Sequence, residues 1–368
     1  MLCAPDSFKE SLTAAEAAAA MARGVRRARP EAQVDLCPIA DGGEGTVAAM
    51  LAATGGRARV ARVTGPLGAA TEATWGMLPD GVAVIEMAAA SGLMLVPVAQ
   101  RDPTRTTTFG TGELIAAAAE HGATRIVLGI GGSATTDGGC GMAQALGVRF
   151  VDHAGRVITT PLCGGDLERI ASIDVSHRRG LPPITVACDV TNPLTGRDGA
   201  AYVYGPQKGA TPEQVEQLDR GLRHLAEVIR GQLGHDIEPI PGSGAAGGLG
   251  GGLIAFAGAT LARGIDTVLE ATGFDRRVQG CALCLTGEGR LDGQSLSGKA
   301  CLGVARAAAR HDVPTIALVG SADDDAARAV AAGLHSYRVI APHLPREVSM
   351  AQAAQWLERT AADVVTHV

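Results

Sequence analysis

Seven carboxylates stand in glycine-rich or turn-forming stretches of this sequence: Asp6, Asp41, Glu44, Asp137, Asp189, Glu288 and Asp292. Asp137 follows Gly131-Gly132-Ser133-Ala134-Thr135-Thr136 and precedes Gly138-Gly139. Glycines let a backbone approach a ligand closely and turn its N–H groups toward an anion, and the hydroxyls add donors. Lys9, Arg105, Arg290 and Lys299 supply cations beside other turns. These residue types together suit a phosphate-bearing small molecule. Phosphoryl transfer needs a metal ion to neutralise phosphate charge and a group to take the hydroxyl proton. Mg²⁺ prefers one or two carboxylates with waters and phosphates. Most of the seven must therefore do something else, and an Asp in a turn is ordinarily a helix cap or an Asx-turn.

The elements that would position these residues can be read from periodicity. Residues 126–130 form an apolar run of strand type that delivers the Gly131–Asp137 loop, and residues 140–146 look helical. Residues 2–4 read as a strand before Asp6, and Ser11 or Thr13 caps an Ala-rich helix to about Arg27. A strand over 34–39 delivers Asp41-Gly42-Gly43-Glu44-Gly45, which echoes the DGGxG at Asp137, and a helix follows over 47–53. Alternating segments 58–63, 71–77 and 82–87, separated by Gly-Pro and Pro-Asp-Gly, predict an antiparallel meander. Residues 148–151 and 155–158 suggest a hairpin, and 184–188 a strand ahead of Asp189. A glycine-rich loop over 196–209 holds Tyr202, Tyr204, Gln207 and Lys208, and a long amphipathic helix spans 211–233. The Gly247–Gly252 run fits either a tightly packed helix or a ligand contact, with helix expected over 254–261. Strand 281–285 leads into Thr286-Gly287-Glu288-Gly289-Arg290-Leu291-Asp292, and further strands are expected at 315–319 and 337–341. Strand–helix alternation at both ends with a meander between them predicts an α/β fold, a doubly wound parallel sheet interrupted by an insert. Asp6, Asp41, Gly131, Glu288 and Ser321 all follow predicted strands, which puts them at the carboxyl ends where such sheets bind ligands.

Two shorter patterns pull in other directions. Gly129-Ile130-Gly131-Gly132-Ser133-Ala134 fits GxGxxA, with Asp152 about 20 residues on, the dinucleotide fingerprint of an NAD(P)-dependent oxidoreductase. Against it, Asp137 would face a pyrophosphate where a helix should begin. Gly293 to Lys299 fits GxxxxGK, but Ala300 stands where a P-loop carries Ser or Thr. Lys299 near a helix start is still a reasonable phosphate contact. A non-catalytic nucleotide-sensing module is a third reading, although it has no need of so many loop carboxylates.

Composition closes off several classes. A formal net charge of -6, no basic block and 3% aromatics give no nucleic-acid surface. No apolar stretch is long enough for a transmembrane helix, and the start of the chain shows no signal peptide. The eight cysteines include one CxxC, Cys281 to Cys284, without zinc spacing. Positions i and i+3 of a strand face opposite sides, so buried structural thiols in a reducing cytoplasm are expected. Histidines in HxH or HExxH spacing are absent. With 368 residues and 46% hydrophobic content, two domains are expected.

Long motifs add a resemblance. Residues 4–11 (APDSFKES), 38–46 (PIADGGEGT), 106–114 (TTTFGTGEL), 129–147, 188–209, 245–250 and 286–299 resemble, in order, the bacterial glycerate kinases of the first type. The likeness covers nearly the whole chain. It implies phosphorylation of D-glycerate by ATP with Mg²⁺, most often to 2-phosphoglycerate. It also implies a Rossmann- or flavodoxin-like domain (1–58, 104–145 and 243–368) with an inserted restriction-endonuclease-like α/β domain (59–103 and 146–242), the active site lying in the cleft between them. The family's first strand ordinarily begins a few residues earlier, which bears on the terminal strand more than on the site.

Residue chemistry then suggests roles. Gly131, Gly132, Ser133, Thr135 and Thr136 would hold ATP phosphates, with Lys299 as a cation on them. Asp41 or Asp137 would hold Mg²⁺. Asp189, with Asp292 as second choice, would orient or deprotonate the glycerate hydroxyl. Ser7, Lys9 and Arg290 would bind the glycerate carboxylate, with Lys9 also counted among the catalytic groups and Asp6 and Glu288 in the substrate site. The partners expected are small molecules, glycerate and ATP, with neither nucleic acid nor membrane, and room for a homo-oligomer.

Overall fold

The computed structural model describes residues 1–293, 300–323 and 326–367. Along the chain come β1 (Leu2–Cys3) and β2 (Asp35–Leu36), then β3 (Arg57–Thr64), β4 (Ala70–Met77), β5 (Val82–Glu86) and β6 (Arg125–Gly129). After these come β7 (Arg149–Asp152), β8 (Ile170–Asp174), β9 (Ile184–Ala187) and β10 (Thr260–Ala262). The last strands are β11 (Cys284–Leu291), β12 (Thr315–Ala322) and β13 (Ser336–Val339). The fold is mixed α/β, and it separates into two compact units. Unit 1 holds residues 1–41, 45–56 and 264–368, and unit 2 holds 42–44 and 57–263.

Unit 1 is built on a five-stranded sheet in the order β13-β12-β11-β1-β2, every pair parallel. A parallel sheet must be covered on both faces, and the period of two in β12 divides its side chains between them. Ile316 and Leu318 join the core beneath the Ala14–Ala28 and Ala353–Thr366 helices. Ala317 and Val319 join the core beneath the Ala300–Ala309 helix. Thr13 starts the first helix through a reciprocal capping box, its hydroxyl accepting from Glu16 N while Glu16 accepts from Thr13 N. Small residues then let that helix lie close to its neighbour. A Cβ on Gly24 would sit 2.1 Å from the Glu358 carbonyl oxygen.

Unit 2 carries a six-stranded mixed sheet, β10-β9-β6-β5-β4-β3, and a two-stranded ribbon of β7 and β8. The expected meander is present, with β3, β4 and β5 antiparallel in turn. From β5 onward the sheet is parallel through β6, β9 and β10. This pairing moves residues 104–145 and 243–263 out of the first expected domain, because β6 cannot leave β5 and β9 without unpairing the centre of this sheet.

Other local expectations shift for similar reasons. β7 pairs antiparallel with β8, and the hairpin expected with 155–158 is kept as a short one, with Asp152 N–H donating to the Arg156 carbonyl, Ile158 N–H to the Phe150 carbonyl and a bridge from Val151 to Val157. The segment expected as helix over 254–261 divides into a Leu249–Ala257 helix and β10. β11 continues through the Thr286–Arg290 motif, so Glu288 and Arg290 project from a strand and not from a loop. The long helix appears as Pro212–Leu233, capped by Thr211. All eight cysteines are free, with Cys284 buried and Cys281 half-buried. Among the described residues, no helix is long and apolar enough to cross a membrane.

Candidate active site

In unit 1's own sequence the strand order is 2-1-3-4-5, so the chain winds away in both directions from the β1/β11 pair. Ligands bind outside the carboxyl ends of strands at such a switch point. A cavity of about 790 Å³ opens there, lined by Asp6, Ser7, Lys9, Asp41, Glu288, Arg290 and Asp292 among others. β1 delivers Asp6, whose N–H donates to the Gly287 carbonyl of β11, while Ser7 N–H donates to its Oδ1 at 2.6 Å. Burial, then the charge of Asp41, pushes the Asp6 carboxyl up to about 7, with Glu288 adding to the rise and Ser7 N–H and Lys9 opposing it. Arg290 reaches Asp292 at 3.6 Å and Asp323 at 3.7 Å and remains largely exposed. The cavity thus offers crowded carboxylates together with exposed cations.

Crowded negative charge is the chemistry that a divalent cation relieves, so Asp41 fits a metal-binding role. No three His, Cys, Asp or Glu groups among the described residues stand close enough to hold a metal unaided. A Mg²⁺ at Asp41 would therefore complete its shell with waters and phosphate oxygens, as is usual for that ion.

Unit 2 holds the second group. β6 and β9 pair in parallel register, Gly129 opposite Ala187, so the loop after β6 and Asp189 after β9 emerge at the same end of neighbouring strands. Gly131, Gly132 and Asp189 are exposed, while Ser133, Thr135, Thr136 and Asp137 are buried. Gly247 packs against this loop, with φ +71 and room for no side chain, since a Cβ would lie 1.9 Å from the Thr135 carbonyl oxygen.

Asp137 departs from its expected role as a metal ligand. Its Oδ2 accepts from Thr108 N, Thr108 Oγ1 and Gly141 N, and its Oδ1 from Gly139 N. It thereby places its own carboxylate at the start of the Cys140–Ala145 helix. Burial pushes its carboxyl up, while the donated hydrogen bonds pull it down. Four donors suit the ionised form.

The site residues expected from the sequence therefore fall into two groups. Asp6, Ser7, Lys9, Asp41, Glu288, Arg290 and Asp292 share the unit 1 cavity, while Gly131, Gly132, Ser133, Thr135, Thr136 and Asp189 belong to unit 2. Gly131 follows a strand of the second sheet, not the first. Lys299 lies outside the described residues. Sequence reading missed Lys208, which is 1% exposed and donates from Nζ to the Thr135 carbonyl at 2.6 Å. It also missed Thr106 and Thr108, which hold Ala134 and Asp137. Their signal was the Thr106-Thr107-Thr108 run, but nothing local shows which loop such hydroxyls meet.

Parallel strands that carry carboxylates, cations and a hydroxyl-rich glycine loop at their carboxyl ends suit an enzyme handling a small anionic substrate. The whole chain, residues 1–368, matches the glycerate kinase family. It is 50% identical to the glycerate kinase of Bacillus subtilis (strain 168), over 100% of this chain and 97% of that one. It is 52% identical to the glycerate 2-kinase of Escherichia coli (strain K12), over 88% of this chain and 86% of that one. A crystal structure assigned to glycerate kinase 2 of Salmonella typhimurium LT2 superposes with a TM-score of 0.90 at 47% identity, covering 100% of this chain and 97% of that one. The chain belongs to the glycerate kinase family and is an enzyme of the kinase class. The oxidoreductase alternative falls with this. After Gly129–Ala134 the chain pairs at Gly92–Ser133 and begins its next helix only at Cys140, so the helix of a dinucleotide fingerprint is missing from its place.

Proposed function

We propose that the protein transfers the γ-phosphoryl group of ATP to D-glycerate, giving 2-phosphoglycerate, with Mg²⁺ neutralising charge on the phosphates. The observation that carries this reading is whole-length similarity of about half identity to glycerate kinases, one of them named a glycerate 2-kinase. The unit 1 cavity supports the substrate side. Lys9 and Arg290 offer cations to the glycerate carboxylate, Ser7 a hydroxyl, and Asp6 and Glu288 line the same space. Gly131, Gly132, Ser133, Thr135 and Thr136 take the ATP phosphates, and Lys299 remains a cation of this reading. Asp189 accepts the proton of the attacking hydroxyl, with Asp292 as the second candidate. Asp41 holds Mg²⁺, which when bound screens the charge that would otherwise repel the attacking oxygen. Unit 1 is read as Rossmann/flavodoxin-like, supported by its strand order, and the other unit as the restriction-endonuclease-like insert. The setting is cytoplasmic.

The test is a coupled assay of ADP release with ATP, Mg²⁺ and D-glycerate, with the product isomer identified by NMR. Turnover yielding 2-phosphoglycerate is expected. No turnover removes the activity, and 3-phosphoglycerate as sole product corrects the position. In the same assay Asp189→Asn should lower kcat by roughly 10²-fold or more, the range for a lost general base, with KM for ATP unchanged. A near-normal kcat would take Asp189 out of the mechanism.

A further inference from the structure

Lys208 is buried to 1% exposure, and neither the cavity nor the proposed chemistry uses it. It ends the short Pro206–Lys208 turn, and its Nζ donates to the carbonyl of Thr135. One residue earlier the Ala134 carbonyl accepts from Thr106 Oγ1 at 2.9 Å. A trans peptide sets its C=O and N–H on opposite sides. Each of these bonds therefore also fixes the next N–H, that of Thr135 or of Thr136, turned away from the residue that grips the carbonyl. Among the described residues, neither of those N–H groups has an acceptor, and Oγ1 of both threonines is buried without a partner. Buried donors are ordinarily satisfied, so four unanswered ones on two adjacent residues are the mark of a segment shaped to receive acceptor atoms.

We infer that Lys208 is a positioning residue for phosphate binding: its bond to the Thr135 carbonyl holds the 133–136 segment so that its free N–H and hydroxyl groups meet the phosphates of the donor nucleotide. The inference rests on the reading of this loop as the ATP phosphate site. Two further features agree with it. Asp137, directly after the segment, supplies the charge that favours the lysine's protonated form, while burial pulls the amine down to about 7. Gly247 lets the backbone behind the segment come this close, since a Cβ there would lie 1.9 Å from the Thr135 carbonyl oxygen that the lysine grips.

The experiment compares Lys208→Met, which keeps the stem and removes the donor, with the Thr135→Val and Thr136→Val variants. KM for ATP, KM for glycerate and kcat are read in each, with a melting curve to confirm folding. Lys208→Met is expected to raise KM for ATP by about tenfold or more, the loss that goes with a charge-assisted hydrogen bond, and to leave KM for glycerate within about twofold. A folded Lys208→Met with unchanged KM for ATP overturns the inference, and so does one in which both KM values rise together. If the Met variant does not fold, Lys208→Leu, which likewise removes the donor, is read by the same criteria. If neither folds, Lys208 serves the fold and not the loop, and the inference is again overturned. The threonine variants separate the two claims. If they raise KM for ATP while Lys208→Met does not, only the lysine's role fails. If they also leave it unchanged, the loop is not the phosphate site.

Discussion

At the scale of single residues, the most informative group is Asp6. A half-buried carboxyl at the ends of β1 and β11, with the charges of Asp41 and Glu288 acting on it, resists ionisation, and its value near 7 contrasts with the ordinary 3.8. The sign of the consequence follows from proton counting. Across that interval the folded chain keeps a proton that the unfolded chain has lost, so the contribution of Asp6 to stability is most favourable below about pH 4 and falls as the pH climbs towards 7. Asp6→Asn removes this fall, and its melting temperature should decline less between pH 4 and 8 than the wild type's. Parallel profiles for the two proteins would sink the account. That Asp6 follows a strand was legible from Pro5-Asp6-Ser7, but its proton affinity was not, since that depends on neighbours 35 and 282 positions away. The same limit applied to Asp137 and Lys208. In the sequence Asp137 reads as a candidate metal ligand and Lys208 as one residue of a glycine-rich loop, whereas the structure buries both and surrounds the carboxylate with four donors.

At the scale of elements, packing between helices gives the clearest test. The Ala14–Ala28 helix approaches the Ala353–Thr366 helix at Gly24, where an added Cβ would meet Glu358 O at 2.1 Å, Ala361 Cβ at 2.8 Å and Ala362 N at 3.0 Å. Two of these three atoms are backbone and cannot turn aside. Gly24→Ala should therefore destabilise unit 1 by roughly 1–3 kcal/mol, the range for overpacking, read as a lower denaturant midpoint with the slope unchanged. An unshifted midpoint would show that the helices can part at no cost. The helices themselves were readable because their caps are local: Thr13 with Glu16, and Thr211 with Gln214. The partners of the strands were harder to read. Residues 148–151 announce a strand, but its pairing with Ile170–Asp174 depends on chain that no local pattern mentions. The division into units failed at the same level, since β6 reads as a parallel strand equally well in either sheet.

At the scale of the whole molecule, unit 1 is assembled from pieces at the two ends of the sequence, and unit 2 is nearly continuous between them. Recognition of the family required motifs scattered over nearly all of the chain, and the same scatter hid which of them share a sheet. β1 lies inside its sheet, and its neighbour β11 comes far later: Thr286 Oγ1 donates to the Ala4 carbonyl across 282 residues. During synthesis on the ribosome, at about 5–20 residues per second, the first strand must wait about 15–60 s for that partner. Residues 57–263 can meanwhile complete their own sheet. A nascent chain stalled shortly after residue 263 has cleared the exit tunnel should therefore resist protease across 57–263 while being cut within 1–56. Equal resistance of both segments would show that the first strands find shelter before β11 arrives. Until then Leu2, Cys3 and the apolar stripe of the first helix have nothing of their own sheet's far side to cover them, so the early chain is the part of this enzyme that a chaperone would be called on to guard.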